Sequence, residues 1–147
     1  MNSQKMNGKT LIALEVVKQL DLLENNKLPN EYKGYISSFG ASIGQAGLLP
    51  AVLFFSEKPS GDKDLTKKRR EKLMNAILTL VKTYNAVKDT KDWQKAVESK
   101  VKDNKETGNY KLLDYVKPQS NSAACANEVL EAGIALKLAM RDFAASN

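Results

Sequence analysis

The sequence predicts an all-α protein, a compact single-domain bundle of about five to six helices, and three observations support this. Apolar residues recur at steps of three and four along most of the chain, the period of an amphipathic helix. No segment alternates apolar and polar residues between turn signals. At 147 residues the chain is long enough to bury most of its apolar surface in one domain. We expect one domain over residues 1–147, with flexible ends at 1–8 and 146–147 and loops at 58–64 and 103–110.

Four helices are predicted from the spacing of their apolar residues. The first ends before Pro29, because proline cannot continue a helix. The second is the clearest amphipathic helix, with Leu73, Ile77 and Leu80 on one face. The third is shorter, and the fourth presents a broad apolar face. These helices cover residues 10–24, 65–87, 89–103 and 121–145, and a short ambiguous segment follows the third at 110–116.

Residues 35–55 contain no charged residue, although 27% of the chain is charged. Their length fits a membrane span, but the first half is weakly apolar and holds serine and glutamine, so we favour a buried helix and no membrane. Gly40, Gly44 and Gly47 are expected to let a neighbouring helix approach closely. Pro50 is expected to bend or interrupt the helix. The glycines lack the GK[ST] frame of a phosphate loop.

The composition argues against catalysis. The chain has no histidine, which is the commonest general base and metal ligand. We therefore expect no enzyme activity, no catalytic residue, no metal and no cofactor. Cys125 is the single cysteine and cannot form an intrachain disulfide, which fits a reducing, cytoplasmic location. Charged Glu15 and Lys18 interrupt the first apolar segment, so a secretory signal is not expected.

A formal charge of +6 favours partners that are polyanions or acidic protein surfaces. The most basic run, KDLTKKRREK, contains Lys67, Lys68, Arg69, Arg70 and Lys72. The apolar face of this helix points elsewhere, so we expect the cations to face solvent. There they suit contacts to nucleic-acid phosphates, which position a duplex without reading its sequence. A solvated helix face with no partner fits the same pattern.

Further candidates are fewer and weaker. Lys137 and Arg141 lie one helical turn apart and form a second candidate nucleic-acid contact. Salt bridges to neighbouring carboxylates explain these two residues equally well. Trp93, Tyr32 and Tyr35 are aromatic residues that could stack on bases. Packing in the core or at an interface is the preferred interpretation, because no basic segment interleaves with aromatic residues.

Three segments carry motifs that occur together in one family. The first is Tyr35, followed by Gly47-Leu48, Ala51 and the apolar run VLFFSEK. The second is AMRDFAAS near the end of the chain, and the third is Lys9 in the first helix. In order and approximate spacing these segments resemble the small helical subunit of the type III-B CRISPR effector, the RNA-guided Cmr complex.

This resemblance implies an all-α subunit that has no catalytic activity of its own. It implies that copies stack head to tail beside the backbone subunits that hold the guide RNA, and line the channel for target RNA together with the large subunit. Arg141 matches a basic position of the family's terminal motif. The seven candidate cations would then neutralise phosphates of the guide–target duplex. A small basic DNA-binding regulator and a protein adaptor remain as alternatives.

Overall fold

The computed structural model describes residues 3–106 and 108–146, which form seven α-helices and two very short strands. The helices are α1 (Ser3–Gln19), α2 (Glu31–Ala46), α3 (Leu48–Phe55), α4 (Leu65–Val87), α5 (Trp93–Lys105), α6 (Leu112–Val116) and α7 (Ala123–Ala139). Single-turn 3-10 helices follow α6 at Lys117–Gln119 and α7 at Met140–Asp142. The strands β1 (Leu28–Pro29) and β2 (Ala145–Ser146) pair in parallel. The all-α prediction is confirmed.

Helix α4 lies at the centre of the fold and contacts all six other α-helices. Its first two turns are polar and basic, whereas the segment from Leu73 to Val81 is apolar on nearly every side. A helix that is apolar all round has to be enclosed by other elements. Leu73, Ile77 and Leu80, the predicted apolar face, are completely buried. The fold therefore buries most of the middle of α4 and leaves its two ends nearer the surface.

The uncharged segment forms two helices rather than one. Helix α2 ends at Ala46, and Gly47 adopts φ 99°, which other residues rarely adopt, before α3 begins at Leu48. Pro50 was expected to be the interruption, but this prediction is wrong. It lies in the first turn of α3, where its missing N–H costs no intrahelical hydrogen bond. No helix within the described residues is both long and apolar enough to cross a membrane.

The close helix contacts occur at glycines other than those expected. An added Cβ at Gly44 would meet nothing within 4 Å, and one at Gly40 would meet only Leu130, at 3.8 Å. The expectation of a closely approached glycine strip on α2 is therefore wrong. Closer contacts occur at Gly8, where an added Cβ would lie 3.3 Å from the Trp93 ring, and at Gly133.

Several element boundaries differ from the predicted ones. Helix α1 begins at Ser3, so residues 3–8 of the expected flexible end are helical. Helix α5 continues to Lys105, so it covers the first three residues of the expected loop at 103–110. The break at Gly47 raises the helix count from six to seven. Residues 1, 2, 107 and 147, which belong to the expected ends and loop, lie outside the described residues.

Candidate nucleic-acid interface

The basic run starts in the first turn of α4, and Asp64 caps this turn. The Asp64 carboxylate accepts hydrogen bonds from the Ser60 backbone N–H at 3.1 Å, the Ser60 hydroxyl at 3.0 Å and the Lys67 backbone N–H at 3.3 Å. These bonds, above all that from the Ser60 N–H, lower the pKa of Asp64. An anionic cap also suits the positive end of the helix dipole. The cap therefore fixes the preceding loop to the start of the basic run.

Lys67 and Lys68 have partners that are themselves exposed. Lys67 Nζ lies 3.4 Å from Glu57 Oε2, and Lys68 Nζ lies 3.6 Å from Asp62 Oδ1. Lys68 Nζ also donates to the Asp62 backbone carbonyl at 2.8 Å. The lysine side chains are 33% and 38% exposed. Because such surface ion pairs contribute only about 0–1 kcal/mol, a phosphate can replace these carboxylates at little cost.

Arg69 has a structural partner. Its Nε and Nη2 donate to the two carboxylate oxygens of Glu24 at 3.0 and 2.9 Å, and Nη1 lies 3.7 Å from Glu31 Oε2. The hydrogen bonds from Arg69 lower the pKa of Glu24, and those to Glu24 raise the pKa of Arg69. The Arg69 side chain is only 17% exposed, so the prediction that it faces solvent is wrong. This bidentate pair fixes α4 to the segment before α2.

Arg70 lies against aromatic rings rather than a carboxylate of the described residues. Its guanidinium carbon lies 4.9 Å from the ring centroid of Phe54, 5.0 Å from that of Phe55 and 5.8 Å from that of Tyr35. Its Nε is buried and has no hydrogen-bond partner. No residue in the described ranges accepts a hydrogen bond from Arg70 or forms an ion pair with it. Aromatic rings hold this cation, and no carboxylate in the described part of the chain neutralises it.

Lys72 completes the run. Its Nζ donates to the backbone carbonyl of Asp21 at 3.2 Å, so it contacts the segment after α1. The five candidate cations from Lys67 to Lys72 are intermediate in exposure rather than fully solvent-directed. The structure thus places them together at the first two turns of α4, with different partners for each.

Lys137 and Arg141 lie on another surface, between α2 and α7. Lys137 Nζ donates to Ser37 Oγ at 2.6 Å. Arg141 is exposed in the 3-10 turn after α7. Both residues line a mainly apolar groove of about 400 Å³, whose floor includes Phe39 and Val129. Within residues 3–106 and 108–146 neither cation has a carboxylate partner. The alternative that salt bridges explain these two residues is therefore not supported.

Lys9, the basic residue of the first-helix motif, is buried. Its Nζ donates to Glu131 Oε1 at 2.6 Å and lies 4.9 Å from the Tyr84 ring centroid. The hydrogen bond from Lys9 lowers the pKa of Glu131. Only 3% of the Lys9 side chain is exposed. Lys9 therefore joins α1 to α7 and is not accessible to an external polyanion.

The three aromatic residues considered for base stacking are mostly enclosed. Tyr32 is fully buried, Tyr35 packs edge-on against it at 6.1 Å, and Trp93 packs against Gly8. The exposed aromatic ring near the basic run belongs instead to Phe54, which is 48% exposed. Sequence reasoning missed Phe54 because it lies on α3, and only the packing of α3 on α4 brings it to Arg70.

The described residues contain no group of three or more histidine, cysteine or acidic side chains that could hold a metal ion. Cys125 is buried, and desolvation raises the pKa of its thiol. A raised pKa keeps the thiol protonated at neutral pH, which lowers its nucleophilicity.

Comparison with known families gives one result. Residues 7–137 match the family model described as CRISPR-associated protein (Cas_Cmr5). The chain belongs to the CRISPR-associated Cmr5 family. This confirms the resemblance to the small subunit of the Cmr effector. Comparison with curated proteins and with solved structures found no significant match.

The Cmr5 match covers the whole basic run of α4 and ends at Lys137. Arg141 and the terminal motif AMRDFAAS around it lie entirely beyond the matched residues. The match therefore adds nothing to the interpretation of Arg141, which depends on its exposure at the end of the groove.

Proposed function

We propose that this Cmr5-family protein is a non-catalytic structural subunit of a type III-B CRISPR ribonucleoprotein in the cytoplasm, where it contributes to antiviral defence. It would stack beside the backbone subunits that hold the guide RNA, next to the large subunit and to further copies of itself. The family match over residues 7–137 carries this proposal. Cleavage of RNA would belong to other subunits of the particle.

The proposed RNA contact is electrostatic and lies at the start of α4. Lys67, Lys68 and Lys72 would exchange their exposed or carbonyl partners for backbone phosphates of the guide–target duplex, and Arg70 would add its unpaired charge. Arg69 would contribute by holding this turn in place through Glu24. Contacts of this kind position a duplex without selecting its sequence.

Lys137 and Arg141 would provide a second contact at the α2–α7 groove. Neither is neutralised by a carboxylate of the described residues, so both charges remain available to RNA phosphates. Lys137 would have to release Ser37, a neutral partner.

The regulator alternative is disfavoured by the connection before α4. A helix-turn-helix motif joins its two helices by a turn of about three or four residues. Here α3 ends at Phe55 and α4 begins at Leu65, so that nine residues, 56–64, separate them.

The salt dependence of RNA binding by the purified protein tests the proposed contact. We expect weak binding to RNA duplexes of unrelated sequence, with affinity that falls steeply between about 50 and 200 mM salt, because each neutralised phosphate releases counterions. Gel shifts across that range measure it. Tight, sequence-selective binding that salt barely changes would contradict the electrostatic mechanism.

A further inference from the structure

Phe54 is an exposed aromatic ring in a fixed position. It is 48% exposed, whereas its neighbour Phe55 is almost completely buried. The two rings pack edge to face with centroids 5.6 Å apart, and the guanidinium of Arg70 lies 4.9 Å from the Phe54 centroid. Contacts with Phe55 and Arg70 therefore hold the ring, while about half of the surface of the Phe54 residue remains exposed.

Arg70 supplies a charge that the described chain does not neutralise. A guanidinium carries five N–H donors, and none of these donates to a described residue. A partly buried charge without a hydrogen-bonded partner is unfavourable. The geometry therefore favours an anionic or hydrogen-bond-accepting ligand beside Phe54.

The neighbouring residues favour RNA over a protein as this ligand. Lys67 and Lys68 lie within the preceding turn of α4, and their ion pairs are exposed and weak. Lysine is depleted in protein–protein interfaces, whereas single-stranded nucleic acid sites combine cations with aromatic rings on which bases stack. The sequence did not show this combination, because the ring and the cations come from different helices.

We propose that Phe54 and Arg70 form a stacking platform for an unpaired RNA base, with Lys67 and Lys68 holding the adjoining phosphates. The base would lie on the open side of the Phe54 ring, and Arg70 would donate to the base edge or to a flanking phosphate. This proposal rests on the proposed RNA-binding function and adds to it a preference for unpaired nucleotides. It predicts no preference for one base, since every base has a π-face.

Two RNA probes of equal length test the platform. One is a short single strand that carries a fluorescent adenine analogue, and the other is an abasic strand with the same phosphates. The wild-type protein should bind the base-containing strand more tightly and quench its fluorescence. Phe54→Ala should weaken binding of that strand about ten-fold and leave abasic binding unchanged.

Two further variants control for folding. Leu53→Ala removes a side chain that is also 48% exposed and adjacent on α3, and it should leave both affinities unchanged. Phe54→Trp keeps an aromatic face and should retain the preference for bases. Thermal unfolding of each variant identifies any loss of structure.

The outcomes separate the two proposals. If the wild-type protein binds both strands equally and Phe54→Ala changes nothing, the platform is wrong but phosphate contact stands. If neither strand binds even at low salt, the proposed RNA contact itself is wrong. If Phe54→Ala leaves RNA binding intact but prevents association with the other Cmr proteins, the patch docks a protein and base stacking is wrong.

Discussion

The surroundings of Lys9 and those of the lysines at the start of α4 are opposite. At the contact between α1 and α7, Lys9 is 3% exposed and its Nζ lies 2.6 Å from Glu131. At the start of α4, Lys67 and Lys68 are about one-third exposed, and their carboxylate partners lie 3.4 and 3.6 Å away. The first pair holds two helices together, and the second group can exchange partners. Burial and the partner, rather than the local density of charge, decide which cations are available to an external anion.

Adjacent arginines show the same contrast within one turn of α4. Arg69 is joined to Glu24 by two hydrogen bonds, whereas Arg70 contacts three aromatic rings and no carboxylate that the structure describes. The two side chains are chemically identical, so their roles follow only from what the fold places beside them. Arg69 fixes the interface and Arg70 remains able to bind an external group.

Removing Lys9 should give the largest effect on stability. In Lys9→Ala the partly buried carboxylate of Glu131 loses its closest cation, and breaking a buried ion pair in this way costs about 3 kcal/mol. Urea denaturation measures the change in the free energy of unfolding. Lys5→Ala is the matched control, because the exposed Lys5 Nζ lies 3.8 Å from the same oxygen of Glu131. Lys5→Ala should lower the free energy of unfolding by less than about 1 kcal/mol. An equal loss in both variants would contradict the contrast between buried and exposed lysines.

The Lys9–Glu131 and Arg69–Glu24 pairs should also make the stability of the protein sensitive to acid, an effect smaller than the loss in Lys9→Ala. Hydrogen bonds from Lys9 and Arg69 lower the folded-state pKa of Glu131 and Glu24 below the ordinary value of 4.5. A lowered folded-state pKa stabilises the protein above the unfolded-state pKa, and this contribution is lost as the pH falls through the folded-state value. The free energy of unfolding should therefore decrease below about pH 4.5.

A carboxylate-to-amide pair of variants tests this assignment. Glu131→Gln cannot titrate, so its stability should decrease less steeply than that of the wild type as the pH is lowered from 5 to about 3. Glu71→Gln changes an exposed carboxylate that pairs with no described residue and should keep the wild-type slope. A wild-type slope in Glu131→Gln would show that the Lys9 pair does not contribute to acid sensitivity.

The sequence predicts those features that depend on the local period of the chain. Leu73 and Ile77 recur at helical spacing, and both are buried in α4. The sequence does not show whether the helix breaks at Gly47 or at Pro50. Gly47 can adopt a positive φ, and Pro50 fits into the first turn of a helix, but both depend on α3 starting at Leu48. It cannot show that Lys9 meets Glu131, 122 residues later in the chain. The proximity of Phe54 and Arg70 is equally a product of packing between α3 and α4.

The same limit applies to the candidate interface. The five candidate cations of the basic run are visible in the sequence, but the different partner of each is not. In the sequence, Arg69 and Lys9 look like the other basic residues. Only the tertiary contacts of Arg69 with Glu24 and of Lys9 with Glu131 show that they stabilise the fold. That the cations at the start of α4 contact RNA stays a prediction.

The salt dependence of RNA binding by Lys67→Ala/Lys68→Ala/Lys72→Ala tests the central claim most directly. The plot of log affinity against log salt should be shallower than that of the wild type by about 2 to 3, since three phosphate contacts are lost. The control, Lys95→Ala/Lys100→Ala/Lys102→Ala, removes equal charge from exposed positions of α5 and should keep the wild-type slope. If the α4 variant keeps the wild-type slope, or if the α5 control loses as much, the start of α4 is not the RNA contact.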